Sequence, residues 1–421
     1  MTDRTRVCLA GCASLVGYAW LACLSRQTER VPLVAFFAAM GVATAAMVWV
    51  YADGAEGLTA LRLVIAFGIA FRLIGLWGHP LYEDDFYRYL WDGRVLASGE
   101  NPYARPPSAW FGDDSIPEPF QRILDHINFP DIPTIYGPVC QVAFVLSYSI
   151  APGELWPLKL IFFAADLGVL VLLWKLLDRK AAIVLYAWSP LVIKEVSFTA
   201  HTDILAVVFL VAALLGIKRG RVAMSGVPLG LAVGTRLHAA LLAPFLIRGR
   251  KLGWLALIAV LAAVYAPFAA SGGMESEAVA VFLREWEFNS LGYGLLRWLL
   301  GDRGRVVAGV LFAAAYAWLL RTRWREPESS LPRGDVLLGA FFLLAPVVNP
   351  WYLLPMLPFV VLRPTPWGIA AMPAVLLSYI TERNLGVASG YQHAAWVRPV
   401  ECAIVGLALL WRPRRVRGPE S

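Results

Sequence analysis

Three adjacent acids, Glu83-Asp84-Asp85, stand just after a long apolar run and are the part of this 421-residue chain best suited to chemistry. Neighbouring carboxylates repel one another and cost stability unless a cation or a protic ligand visits them, so at least one is expected to act on something. An aspartate with a reference pKa of about 3.9 is ionised at neutral pH and can take a proton from a hydroxyl nucleophile, which is general-base catalysis. A structural use is also open: Asp84 or Asp85 can cap a following helix, and Arg88 can pair with Asp84 or Asp92. One cap consumes one acid and leaves the others unexplained. Over residues 86–97, Phe86, Tyr89, Leu90 and Ala97 share one side of a helix while Asp85, Arg88 and Asp92 fall on the other. The spacing predicts an interfacial amphipathic helix ended by Gly99, with Asn101-Pro102 turning the chain.

The second candidate is Thr235-Arg236-Leu237-His238, set between two short apolar stretches. An arginine there is costly unless it faces a cavity, a partner or an anion. It either pairs with a loop carboxylate or, with His238 nearby, binds the phosphate of a lipid carrier; free amides opening the second half-helix also favour an anion. Lys194-Glu195 and His201-Thr202-Asp203 group four ionisable side chains that suit mutual salt bridges or a sugar or phosphate site. His201 and Asp203 lack an evident third and fourth ligand, so no metal is expected. Asn289 within residues 285–290 and Asn349-Pro350-Trp351-Tyr352 add amides and aromatics, although single Trp and Tyr residues commonly serve as membrane anchors.

The elements that must position these groups are set by lipid. The chain is 59% hydrophobic and 16% charged, with a mean hydropathy of +0.61, a balance that excludes a water-soluble domain. Backbone polar groups in hydrocarbon must bond internally, and the apolar runs 7–24, 31–51, 58–77, 156–174, 253–270 and 395–411 have helix length without strand alternation. The first run follows Arg4 and Arg6 but lacks a convincing cleavage site, so it is expected to remain as a span. The net charge of +7 does not point to nucleic acid, because the basic residues cluster at 175–180, 218–221, 248–251, 321–333 and 412–417, between apolar runs. Such clusters mark cytoplasmic loops.

Residues 78–138 hold ten acids against four arginines and are therefore placed outside. Residues 194–203, 235–238, 271–298, 349–352 and 380–395 fall at the same end, so the polar patches converge on one face. Two stretches are too short for full spans: 139–150, and the hairpin 222–247, whose 26 residues cannot cross twice at about 1.5 Å per residue. The expected architecture is all-α and polytopic, with about 11 to 13 membrane helices, some short or re-entrant. No internal repeat is visible and the chain is read as one membrane domain. The five cysteines show no paired spacing for zinc or redox chemistry.

A resemblance adds to this reading. The run from Glu83 to Val95, then Gly99-x-Asn101-Pro102-Tyr103, then Ile132-Pro133-Thr134-Ile135-Tyr136-Gly137-Pro138 resembles the GT-C superfamily of membrane glycosyltransferases. The likeness is closest to bacterial polyprenol-phosphate-mannose-dependent mannosyltransferases. Ser189-Pro190, Lys194-Glu195, His201-x-Asp203, Phe288-Asn289-Ser290 and Asn349-Pro350-Trp351-Tyr352 follow in the expected order. Gly137 stands where proline is common, Asn349 where histidine is, and Arg236 where lysine is.

The resemblance implies a GT-C-like fold and inverting transfer of a sugar, mannose favoured, from a polyprenyl-phosphate donor to a glycan or glycolipid hydroxyl. The reaction would take place at the extracytoplasmic face of a bacterial inner membrane, without a cofactor. One aspartate of the acidic motif is then the base, with Asp85 preferred over Asp84. Arg236, Lys194 and His238 are expected at the donor phosphate. Glu83, Arg88, Glu195, His201, Asp203, Asn289, Asn349, Trp351 and Tyr352 are expected around the sugar or acceptor. A transporter or flippase of a lipid-linked sugar would use similar groups, as would an oligosaccharide polymerase or ligase. The long acidic loop favours an enzyme.

Overall fold

The computed structural model describes residues 1–54, 56–221, 223–327, 330–387 and 390–411. The basic cluster at 412–417 lies outside the described residues. Within them the regular structure is helical, joined by two isolated β-bridges and no strand. The chain is a helical membrane protein.

Three long apolar helices come first, α1 (Asp3–Gln27), α2 (Leu33–Ala52) and α3 (Leu58–Trp77). The loop that follows carries α4 (Phe86–Ala97) and α5 (Glu118–Asp125), and then come α6 (Pro138–Ile150) and α7 (Trp156–Leu176). With Lys251–Ala270 and Arg303–Arg323, six helices are long and apolar enough to cross a membrane. A bent pair, Lys180–Ala187 with Pro190–Phe198, and six shorter apolar helices complete the mixture of full and partial elements that the sequence predicts. The helix Arg303–Arg323 was not among the anticipated spans, because arginines at both ends dilute its hydropathy. The anticipated run at 395–411 forms the helix Val397–Leu410, shorter than a full span at 14 residues.

Buried polar groups fix where these helices begin and end. Arg72 of α3 donates to both oxygens of Asp166 on α7, at 2.7 and 3.2 Å, and to the carbonyls of Gly68 and Ala187. The Tyr186 hydroxyl also donates to Asp166, at 2.7 Å. A buried ion pair needs such extra hydrogen bonds to offset its desolvation, and here both partners have them. Lys159 of α7 donates to the carbonyls of Gly75, Leu76 and Gly78 at 3.0, 3.1 and 2.7 Å. It satisfies the free carbonyls at the end of α3 and so sets the point from which the acidic run departs.

The loop after α3 has its own apolar core, in which Trp91, Val95, Trp110, Phe120 and Leu124 are buried. Each such side chain contributes about 1.5–3 kcal/mol to keeping the loop folded on the bundle. Helix α4 spans the predicted residues and is followed by Gly99 at φ +84°, a left-handed conformation that suits glycine. Its charged side is not solvated, in contrast to the simple amphipathic expectation. Arg88 and Asp92 are buried and paired at 3.2 Å; Gln141 donates to Asp92 at 3.1 Å, and Arg88 donates to the Ile132 carbonyl at 2.6 Å. On the other side Tyr89 stacks on Phe144, and Gly93 allows the backbone of α6 to approach.

Candidate functional site

Past Lys159 the chain enters the acidic run through Tyr82, a non-glycine residue at φ +64°. A strained residue persists only where its surroundings hold it. Tyr82 is held by the hydrogen bond from its hydroxyl to the Val31 carbonyl at 2.9 Å and by edge contact with Phe36. The turn splays the acids apart. Asp85 occupies the N-cap position of α4 but makes no capping bond; its Oδ2 accepts from the Tyr136 hydroxyl at 2.9 Å. Asp84 accepts from Asn128 and, at 3.1 Å, from Arg383. Glu83 makes no hydrogen bond or ion pair among the described residues. Of the two pairings open to Arg88, the chain uses Asp92.

The Thr235-to-His238 segment is the tip of a pair of short helical pieces, Gly226–Val233 and Leu237–Leu242. Gly137 has its α-carbon pressed against this tip: a Cβ there would lie 2.3 Å from the Gly234 carbonyl oxygen, which accepts from the Val139 amide at 3.1 Å. Arg236 at the tip donates to Asp203 at 2.6 Å and to Thr202 at 3.0 Å. Its guanidinium lies between the rings of Tyr136 and Tyr352, 5.2 and 5.9 Å from their centroids. The Arg236 Nε has no partner within the chain. The counter-ion is thus Asp203 rather than a carboxylate of the acidic loop.

Asp85 and Arg236 line one cavity of about 400 Å³, together with Glu83, Asp84, Arg88, Tyr136, Asn349, Trp351 and Tyr352. Its apolar lining includes Ile132, Pro133, Ile135, Phe282 and Val347. Its roof is tied down by Phe129 packed on Trp286 at 4.2 Å and by a bridge in which Val348 donates to the Phe288 carbonyl at 2.9 Å. Burial is the main influence on Asp85 and lifts its carboxyl to about 6, with Tyr136 and Arg236 pulling it down and Asp84 and Asp203 pushing it up. Burial and the neighbouring acids push the Glu83 carboxyl well above its ordinary range, against the opposing pull of Lys194.

The remaining sequence candidates form a layer behind the cavity. Lys194 and Glu195 sit on a π-helical turn, Ile193–Phe198, of the kind that often marks functional positions. Both are fully buried and lie 3.1 Å apart; Lys194 also donates to the Tyr379 hydroxyl, which in turn donates to Glu195 at 2.9 Å. Ala200 at φ +62° turns the chain into His201. The His201 ring stacks on Trp351 at 3.9 Å; its Nε2 is 3.2 Å from Glu195 but out of line for a hydrogen bond. His238 lies near Phe341 and Tyr352, with ring centroids 6.2 Å away in each case. Asn289, at φ +48°, donates to Glu401 at 3.0 Å. Lys194, Glu195, His201, Asp203, His238 and Asn289 are therefore not part of the lining; Asp203 reaches it through Arg236, His201 through Trp351 and His238 through Tyr352.

Sequence reasoning assigned no role to Tyr136, Asn128, Tyr379, Arg383, Tyr391 or Glu401. Tyr136 stands inside a quoted motif and could have been found there; the others are isolated polar residues with no local signal.

No curated protein and no solved structure matches the chain. A family model described as alpha-(1->6)-mannopyranosyltransferase, N-terminal domain, matches residues 8–249. That stretch carries the acidic run, Tyr136, Asp203 and Arg236; the lining residues Asn349, Trp351 and Tyr352 lie beyond it. With more than half of its length matched, the chain belongs to the MptA_B family of alpha-(1->6)-mannopyranosyltransferases and is thereby a glycosyltransferase.

Proposed function

We propose that the protein moves a mannosyl unit from a polyprenyl-phosphate donor to a hydroxyl of a glycan or glycolipid acceptor, with inversion at C1, on the extracytoplasmic side of a bacterial inner membrane. The observation that carries this reading is the shared cavity of Asp85 and Arg236, a proton acceptor and a cation with an unpartnered Nε, with apolar residues in its lining. That combination suits a reaction in which a hydroxyl loses its proton while a lipid-borne phosphate gains charge.

In a single displacement the acceptor oxygen bonds to C1 as the C1–O bond to phosphate breaks. Asp85 takes the hydroxyl proton, and the leaving phosphodiester, now a monoester, keeps the electron pair. A carboxyl near 6 is ionised at neutral pH yet basic enough to share the proton. Arg236 meets the charge developing on phosphate, already oriented by Asp203, Thr202 and the two tyrosine rings. Lys194 backs the phosphate end from the layer behind, and the His238 ring beside Tyr352 offers it a neutral hydrogen-bonding group. Glu83, with its raised pKa, can donate to a sugar or acceptor oxygen, and Asp84 helps to orient the acceptor. Arg88, Asn349, Trp351 and Tyr352 bound the sugar, His201 packs on Trp351, Asp203 holds Arg236, and Glu195 and Asn289 order the layer around them. Membrane lipids surround the rest.

The test is transfer of label from polyprenyl-phosphate mannose by the purified protein in lipid nanodiscs, with a membrane glycolipid extract as acceptor. Labelled product with the anomer opposite to that of the donor is expected. Movement of donor between leaflets without glycoside formation would refute the reading.

A further inference from the structure

Two cavities meet at the acidic run. The first holds Asp85; the second, of about 580 Å³, is lined by Arg30, His79, Tyr87, His126 and Arg383 among others. Glu83 and Asp84 line both. A closed ring of four side chains joins them, with Asn128 and Tyr391 lining the first, Arg383 the second and Asp84 both. Asn128 donates to Asp84 Oδ1, Arg383 donates to Asp84 Oδ2 at 3.1 Å and to the Tyr391 hydroxyl, and that hydroxyl donates to Asn128 Oδ1 at 3.4 Å. Both oxygens of Asp84 are thereby occupied, whereas Asp85 has Tyr136 alone.

Arg383 is held in a stiff turn. Its carbonyl accepts from Arg30 at 2.9 Å, its amide donates to the Gly390 carbonyl at 3.0 Å, and Thr381 caps the short helix that carries it. Arg383 brings the only cation in contact with the acidic run through a hydrogen bond among the described residues.

We propose that Arg383 is a positioning residue that separates the work of the two aspartates: by holding Asp84 in the ring it compensates that charge and leaves the neighbouring Asp85 free to exchange the proton. This rests on Asp85 as the base in the proposed function. Two bare carboxylates on successive residues would compete for one proton, and the stronger competitor would be decided by small differences in solvation. Asp84 remains the nearest charge pushing the Asp85 carboxyl up, ahead of Asp203 and against Tyr136 and Arg236, and the Arg383 cation bound to Asp84 offsets that push; Glu83, Tyr89, Lys194, Tyr352, Tyr379 and Tyr391 complete the surroundings of Asp85. Tyr391 is pushed up to about 12 by burial and by Asp84, so its hydroxyl stays protonated and closes the ring as a donor.

The experiment compares wild type, Arg383→Gln, Arg383→Lys and the double variant Asp84→Asn/Arg383→Gln. For each, kcat/KM for mannosyl transfer is measured against pH, and the carboxyl infrared band that disappears in Asp85→Asn is titrated in protein without substrate. Arg383→Gln should move both the acid limb and the band to higher pH by about one unit, so that the variant loses about fivefold more rate at pH 6 than at pH 8. Arg383→Lys keeps the charge and should leave both in place. The double variant removes both charges and should put the limb at or below its wild-type position, which carries the test if Arg383→Gln does not fold. An equal loss at every pH with an unmoved band would make Arg383 a simple prop and overturn the proposal. If no variant transfers sugar, the function reading fails, and the substrate-free titration still decides whether Arg383 controls the proton on Asp85.

Discussion

The Tyr136 hydroxyl donates to Asp85 at 2.9 Å while the face of the same ring carries the Arg236 guanidinium. One side chain thus couples the candidate base to the candidate phosphate cation, although the two are 151 residues apart in sequence, 85 against 236. Tyr136 sits in the segment that leads into α6, and Gly137 presses that segment onto the tip carrying Arg236. The hydrogen bond stabilises the ionised form of Asp85, and the cation above the ring works in the same direction.

From this follows the pH dependence. Asp85 must be ionised to act as a base, and its carboxyl stands at about 6, so kcat/KM should rise with pH through about 6 and level above it. Tyr136→Phe removes a bond that lowers the pKa, and the limb should move to higher pH. A rate profile between pH 5 and 8 measures both; a Tyr136→Phe limb at or below the wild-type position would show that the hydroxyl does not serve the carboxylate.

Asp85→Asn keeps the shape of the side chain and its contact with Tyr136 but cannot accept the proton. The expected loss in kcat is about 10²–10⁴-fold, with KM for the donor little changed, since donor binding is assigned to Arg236. Asp84→Asn, whose oxygens are engaged by Asn128 and Arg383, should lose less. Steady-state kinetics with the labelled donor separate the two, and a larger loss at Asp84 would transfer the base to that residue.

Much of the fold was legible because lipid imposes one simple demand, about 20 apolar residues per span. The runs at 7–24, 31–51 and 58–77 therefore resolved as α1, α2 and α3, and the re-entrant tip was visible from the arithmetic of residues 222–247. Helix Arg303–Arg323 escaped because its terminal arginines lower its mean hydropathy, a property that a window average cannot separate from a weaker interior. Residues that announced themselves by charge or motif, including Asp85, Arg236 and Trp351, share one cavity. Their hydrogen-bonding neighbours carried no such signal. Nothing near Arg383 or Glu401 in sequence says that one meets Asp84 and the other Asn289; both contacts close over more than one hundred residues and are properties of packing alone.

Gly137 offers a test of the tip that does not touch a charged group. A methyl group there would fall 2.3 Å from the Gly234 carbonyl, a backbone atom that cannot rotate away. Gly137→Ala should push the tip off Tyr136, carry Arg236 with it and raise KM for the lipid donor more than it lowers kcat. Donor titration by intrinsic fluorescence, alongside a thermal unfolding scan, distinguishes this from general destabilisation, which would lower the melting temperature while leaving donor affinity intact.

Arg236 and Asp203 permit the fold and the function to be tested separately. The pair is buried, with side-chain exposures of 11% and 0% and a separation of 2.6 Å. Removing the cation alone, in Arg236→Gln, strands a carboxylate that has one oxygen on no other partner, and a buried charge left in this way typically costs about 3–5 kcal/mol. Any loss of activity in that variant is therefore ambiguous. Adding Asp203→Asn removes the stranded charge and should recover most of the stability, because an uncharged pair at the same positions no longer has to be desolvated as ions. Donor binding should not recover, since the group that meets the phosphate is still absent. Unfolding midpoints and donor affinity measured on the two variants should accordingly part company. If the double variant regains both, Arg236 serves the fold by neutralising Asp203, and the phosphate must find its cation elsewhere.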